Sequence, residues 1–287
     1  MPVTELPPGG LGDALTPEEW ATYLLDGLRA ASVVLASGAT EVRTSRESIH
    51  IPRLTDDGGA SWYDELEPIG DGNPEGDSLL LRPRKCAALT TISNEVIDDS
   101  DPSAIDAIGT AMVRAVALTV DAAFLGGAGA KDPLGLLRLT GLPGATGSVD
   151  FDGLVTGAGA IRAAGGTPDV VYMSPADLTQ LQLAKDANDR PLIWPDATAA
   201  IGNTIAGLRV FPTPALPAGT ALIAEAAQIV VAVRRDATVA VSEDAIFAQD
   251  GALVRVVMRA DIGVADINGL YRLGAAPAAT KSSKTAA

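Results

Sequence analysis

Between residues 101 and 127 the apolar positions fall at a helical step. In DPSAIDAIGTAMVRAVALTVDAAFLGG, the residues Ile105, Ile108, Met112, Val116, Val120 and Phe124 recur every three or four positions and so share one face. Asp101 is the expected N-cap with Pro102 at the first helical position, and Gly126-Gly127 is expected to close the helix through a left-handed residue. At roughly 1.5 Å per residue the segment makes a rod of about 36 Å. Asp106, Arg114 and Asp121 interrupt the run, which argues against a membrane span. A long helix with a single apolar stripe calls for a sheet laid against it, and the rest of the chain is read around that helix.

Before it, residues 1–14 are rich in Pro and Gly and read as an extended arm. Thr16-Pro17-Glu18-Glu19 has the form of a capping box, opening a helix through Trp20, Leu24, Leu28 and Ala31 to about Leu35, stopped by Gly38. An amphipathic helix on such an arm is expected to dock on the body or on a neighbouring copy. From Glu41 to Ser93 the pattern is that of one long hairpin. Its outgoing limb is EVRTSRESIHIPRL, and its returning limb is DSLLLRPRKCAALTTIS, where Pro83 demands an edge or a bulge. The intervening Asp56-Asp57-Gly58-Gly59, Trp62-Tyr63 and GDGNPEGD cannot form a core. A hairpin of that length is unstable alone, so it must lean on another chain or on the body.

After the long helix, GAGAKDPLGLLRLTGLPG reads as a loop of turn residues. A helix is predicted over Asp152 to Ala164 and a strand at Val170-Val171-Tyr172-Met173. A further helix opens at Ser174-Pro175-Ala176-Asp177, with Ser174 as N-cap and Asp177 reaching back. It carries Leu178, Leu181 and Leu183 and fades near Lys185-Asp186. Short strands are predicted at Leu208–Val210, Thr220–Ala224 and Ile229–Arg234. Two longer ones, Ala237–Ser242 and Leu253–Val264, should pair as an antiparallel ribbon, and the tail APAATKSSKTAA falls outside the core.

Composition narrows the function classes. At 287 residues the chain can bury a large core without staples. With 47% hydrophobic but only 4% aromatic residues, that core must be aliphatic. A net charge of -15 repels phosphate backbones and speaks against a dedicated nucleic-acid binder. Cys86, the only cysteine, excludes an internal disulfide framework and fits a reducing compartment. The opening MPVTELPPGGLGDA has neither the basic start nor the apolar run of a secretory signal.

Several segments imitate catalytic motifs without completing them. Gly157-Ala158-Gly159 suggests a dinucleotide loop, but the third glycine position is Arg162 and the context is helical, so close helix packing is the simpler reading. Gly126 to Lys131 places glycines before a lysine, yet Asp132 stands where a P-loop needs Ser or Thr. Asp71-x-Asn73-x-Glu75-Gly76 begins like a calcium loop, but its twelfth position is Arg82. His50 is the only histidine, flanked by Ile49 and Ile51 on a strand, with no ligands at metal-binding spacing. Cys86 reads as a small buried side chain, and Asp98-Asp99-Asp101 as charge favouring a helix N-terminus. No catalytic, cofactor-binding or metal residue is assigned. Three aromatic residues instead stand out as candidates for contact between subunits: Trp20, Trp62 and Tyr63.

Four stretches, in order over residues 79 to 273, resemble the major capsid proteins of tailed bacteriophages, the family with the Hong Kong 97 shell fold. LLLRPRKCAALTTISNEVIDDS is similar to that family's returning hairpin limb before its spine helix. VVYMSPADLTQLQLAKDANDRPLIW resembles its strand, Pro-capped helix and following turn. GLRVFPTPALPAGTALIA is like a characteristic strand pair, and RRDATVAVSEDAIFAQDGALVRVVMRADIGVADINGLYRL is similar to the closing ribbon.

The resemblance implies an α+β fold with an N-terminal arm at 1–40, an E-loop at 41–92, and a peripheral domain with its spine helix at 93–149. An axial domain would occupy 150–234, the peripheral ribbon 235–274 and a C-terminal tail 275–287. It further implies a non-enzymatic shell protein assembling with itself into pentamers and hexamers around double-stranded DNA, in the virion after assembly in the host cytoplasm. Expected partners are a separate scaffolding protein, a portal and a decoration protein, with no sequence-specific DNA binding and no membrane. Only about 40 residues precede the hairpin, too few for the removable scaffolding segment of many relatives. Residues 54 to 81 contain no lysine, so the Lys–Asn weld that some relatives place there is not expected. Two other readings are weighed: an encapsulin-like compartment of the same fold enclosing cargo enzymes, and a nucleotide-binding enzyme using the glycine-rich segments.

Overall fold

The computed structural model describes residues 32–56, 62–65, 75–93, 103–185, 193, 204–246 and 250–275. The chain divides into two compact units, one of Met1–Ser32, Lys85–Val120 and Arg235–Arg259, the other of Val33–Arg84, Asp121–Arg234 and Ala260–Ala287.

The long helix is present as α-helix Ser103–Gly126, 24 residues. Met112, Val116, Val120 and Phe124 are buried along the predicted face, joined by Val113, Ala117 and Leu125. Asp101 and Pro102 lie outside the described residues. The helix does not end through a left-handed glycine at 126–127: neither residue has positive φ, and the first that does is Gly129 at 79°. Space is the reason for glycine there. A side chain on Gly127 would collide with the carbonyls of Ala123 and Pro133, because the following loop folds back over the helix end. Gly135 donates its N–H to the Gly127 carbonyl at 3.0 Å. Arg138 Nε donates to the Gly126 carbonyl at 2.9 Å, so a side chain satisfies an acceptor that the ending helix leaves open.

The smaller unit carries that helix as far as Val120, together with a strand beginning at Arg84 and the outer parts of two long strands, Ile229–Ile246 and Gly251–Val264. The first long strand runs unbroken through Arg234-Arg235-Asp236, where two separate strands were expected; no Gly or Pro interrupts it. The two are neighbours in a four-stranded sheet, and the four residues between them can only join antiparallel partners. Val256 and Met258 alternate inward on the second.

The larger unit is built on a six-stranded sheet. From one edge to the other its strands are Gly144–Ala145, Leu270–Leu273, Ala221–Ala224, Val170–Met173, Leu208–Pro212 and Thr204–Ile205. Val170–Met173 and Ala221–Ala224 are buried at every position, as central strands covered on both faces must be. The helix Phe151–Ala163 supplies Leu154, Ala158 and Ile161 to a core with Val171, Met173, Ile223 and Leu273. Asp150 caps it, accepting the Gly153 N–H at 2.7 Å, while hydrogen bonds from Ser148 and then Gly153 hold its carboxyl below the ordinary range. Pro175–Leu183 forms the predicted Ser174-capped helix, with Asp177 N–H donating to Ser174 Oγ at 3.2 Å. Leu181 on it is buried, whereas Leu183 is exposed.

The hairpin is shorter than its pattern suggested. Its strands are Ile49–Asp56 and Glu75–Leu81, antiparallel from Ile49 opposite Leu81 to Asp56 opposite Glu75. The outgoing limb breaks at the Ser45–Glu47 bend, and its first part, Thr40–Arg43, pairs in parallel with Val230–Val233. The returning limb breaks at Arg82-Pro83, and Arg84–Ser93 joins the four-stranded sheet instead. Proline has no ladder donor, so one limb is partitioned between two sheets. Of the predicted N-terminal helix, the described part is its last turn, Val33–Ala36, followed by Gly38 at φ 100°.

Candidate functional site

Among the described residues the apolar packing of the hairpin lies at its base. Ile49, Ile51, Leu79 and Leu81 pack with Val42, Val230, Ala232 and Ala265 in a small cluster of their own. Gly263 makes room for it, since a Cβ there would lie 2.7 Å from the Leu81 Cδ2 methyl and 2.8 Å from Leu79 Cδ2. The strands also carry polar pairs. Arg53 donates to Asp77 at 2.9 Å, a bond that holds the Asp77 carboxyl below its ordinary range. His50 Nδ1 lies 3.4 Å from Ser78 Oγ, both exposed. Exposed pairs of this kind add little stability.

Between the strands in sequence stand two of the three aromatic candidates. Trp62 is wholly in solvent, with a relative exposure of 103%, and Tyr63 is exposed at 38%. Trp20, like Asp71 and Asn73 of the incomplete calcium loop, lies outside the described residues. Other large apolar side chains on the surface include Phe151 and Val155, one turn apart on a helix, and Leu89 and Leu183.

The segment after the turn Val33–Ala36 is tied to the body by a polar network, buried at Tyr172 and Ser37 and open to solvent at Arg209 and Asp169, that local sequence gave no sign of. Tyr172 OH donates to Ser37 Oγ at 2.5 Å, and Ser37 Oγ donates to the Val34 carbonyl at 2.7 Å. Arg209 donates to the Ser37 carbonyl at 2.8 Å and to Asp169 at 2.7 Å. Burial pushes the Tyr172 hydroxyl far above its usual pKa, which keeps it a neutral donor. These partners are 135 and 172 residues apart in the chain, beyond any spacing rule.

The catalytic imitations resolve as packing. Gly157 sits inside a helix, where a Cβ would meet Ile223 Cδ1 at 2.5 Å and Tyr271 Cδ1 at 2.8 Å. Cys86 is half-buried rather than buried, and desolvation raises its thiol pKa, away from the reactive thiolate. Among the described residues no three or more His, Cys, Asp or Glu side chains converge as a metal site. No described helix is long and apolar enough to cross a membrane.

A model of the phage capsid family matches residues 12–273. The chain belongs to the phage capsid family. It is a structural protein of the virion capsid, not an enzyme. The major capsid protein of Halomonas phage phiHAP-1 is 27% identical over 120 residues, 42% of this chain and 20% of that protein, so the match spans about a fifth of that relative. The capsid of a native GTA particle superposes with TM-score 0.69 at 20% identity, covering 85% of this chain and 90% of that one. A Microbacterium phage Oxtober96 chain gives 0.69 at 15% identity, covering 84% and 90%. A Mycobacterium phage Bobi chain gives 0.66 at 21%, covering 82% and 84%. These likenesses establish the α+β fold of Hong Kong 97-type shells for this chain.

Proposed function

We propose that this capsid subunit closes into pentamers and hexamers of an icosahedral head around double-stranded DNA. The observation that carries the proposal is the hairpin, whose apolar packing among the described residues lies at its base while Trp62 stands in water. Residues 1–40 act as the arm, 41–92 as the E-loop, 93–149 with 235–274 as the peripheral domain, and 150–234 as the axial domain meeting its copies at the capsomer centre. Residues 275–287 form the tail. Trp20, Trp62 and Tyr63 are its contacts with neighbouring copies. A net charge of -15 suits a wall that encloses DNA without adhering to it. A separate scaffolding protein, a portal and a decoration protein are the partners this reading adds.

Purified particles test it. They are expected to contain double-stranded DNA; protein cargo without nucleic acid would favour the encapsulin-like compartment. Boiled in denaturant, the shell protein should run as a single band at 29.2 kDa, since residues 54 to 81 offer no lysine for a covalent weld. A ladder of multimers on the gel would contradict the non-covalent shell.

A further inference from the structure

Among the described residues two carboxylates are buried, Asp121 and Asp261. Each receives main-chain N–H groups from an element distant in the chain. Asp121, on the long helix, accepts from Val33 at 2.9 Å and Val34 at 3.3 Å. These open the turn Val33–Ala36, whose first donors the helix itself cannot satisfy. The cap therefore comes from a residue 88 positions away. Asp261 accepts the Arg82 N–H at 2.6 Å, and Arg82 is the first residue beyond the hairpin strand Glu75–Leu81. Its other oxygen accepts the Ile262 N–H at 2.9 Å. Gly263, two positions on and so on the same strand face, takes Leu79 and Leu81. One strand face thus holds both the backbone and the side chains of the hairpin root.

Burying a carboxylate costs stability, and burial raises the Asp261 carboxyl above its ordinary range against the pull of the Arg82 and Ile262 N–H groups. An apolar residue of similar size often stabilises a core better than a buried charge. What these carboxylates supply instead is a directional anchor for backbone donors. A strand of eight residues is about 25 Å long. Slack of about 10° at its root moves the far end by about 4 Å, a whole contact distance.

We infer that Asp121 and Asp261 are positioning residues for assembly, Asp121 anchoring the turn Val33–Ala36 and Asp261 the root of the hairpin, so that the hairpin meets a second copy of this chain in one geometry. The inference rests on the self-assembly proposed above. The test uses the full chain with Asp121→Ala, Asp261→Ala and the milder Asp121→Asn and Asp261→Asn, beside a core control, Ile223→Val. Hydrogen exchange should quicken at least tenfold at Val33 and Val34 in the Asp121 variants and at Arg82 in the Asp261 variants. The concentration at which half the protein sediments as shells should rise about tenfold for the alanine variants and less for the asparagine ones. The control should lower the thermal midpoint without moving that threshold. Alanine variants that assemble at the wild-type threshold, or that leave those amides protected, overturn the inference. If an alanine variant does not fold, its asparagine counterpart decides by the same two readouts. Wild-type protein that never assembles overturns the underlying reading, and the exchange data distinguish that failure from this one.

Discussion

Alanine at both Trp62 and Tyr63 is expected to leave the subunit folded and to abolish shell formation at the wild-type concentration. Trp62 is fully exposed in the single chain, and the hairpin's packed cluster is confined to its base at Ile49, Ile51, Leu79 and Leu81. Trp62 therefore adds nothing to the sheet and helix core, and removing both rings should leave that core intact. Left in water, Trp62 with the exposed part of Tyr63 forms an apolar patch of a kind that marks an interaction site. Packed on a neighbouring copy they would bury roughly 150–250 Å² each, and truncating such anchors commonly costs several kcal/mol. The loss repeats at every copy around a closed ring. Circular dichroism with sedimentation velocity on the double mutant reads both halves. Shells at the wild-type threshold would show that the residues are not anchors; a collapsed helix signal would place them in the subunit core.

Gly157→Leu is expected to destabilise the unassembled subunit by about 3 kcal/mol, at the upper end for overpacking a filled core. Gly157 faces the sheet, and even a bare Cβ would press into Ile223 and Tyr271. Those side chains come from two adjacent central strands, so neither can give way without shifting the layer. Gly159→Leu is the control, on the same helix with nothing within 4 Å of its Cβ. Leucine is the better helix former by about 0.5–1 kcal/mol, so this change should be neutral or stabilising. Denaturant midpoints of the two variants should move apart. Equal midpoints would mean that Gly157 is not in close contact with the sheet.

Those two glycines show what the sequence could and could not say. The helical period around Gly157-Ala158-Gly159 was enough to prefer packing over a dinucleotide loop, and Gly157 does pack closely. Nothing local could tell it from Gly159, because the difference lies in strands more than 60 residues downstream. The long helix, the Ser174 cap and the central strands were legible for the same reason: periodicity and capping are local. Errors fell where a distant partner decides. The hairpin pattern ran on to Ser93, but after Pro83 the same alternation serves a different sheet. Gly126-Gly127 resembled a left-handed terminus, yet its glycines answer to a loop that folds back on them. Trp62 and Tyr63 drew notice because large rings among Gly, Asp and Asn have no local core to enter. The roots formed by Asp121, Tyr172, Arg209 and Asp261 gave no such signal, since the backbone and side-chain partners they hold lie 40 to 179 positions away.

Everything here turns on whether the isolated chain closes with copies of itself. Light scattering of purified full-length protein across salt and concentration, with negative-stain images of the same samples, measures that directly. The account predicts rings or closed shells, with a threshold concentration. A compact 29.2 kDa monomer under every condition would contradict it.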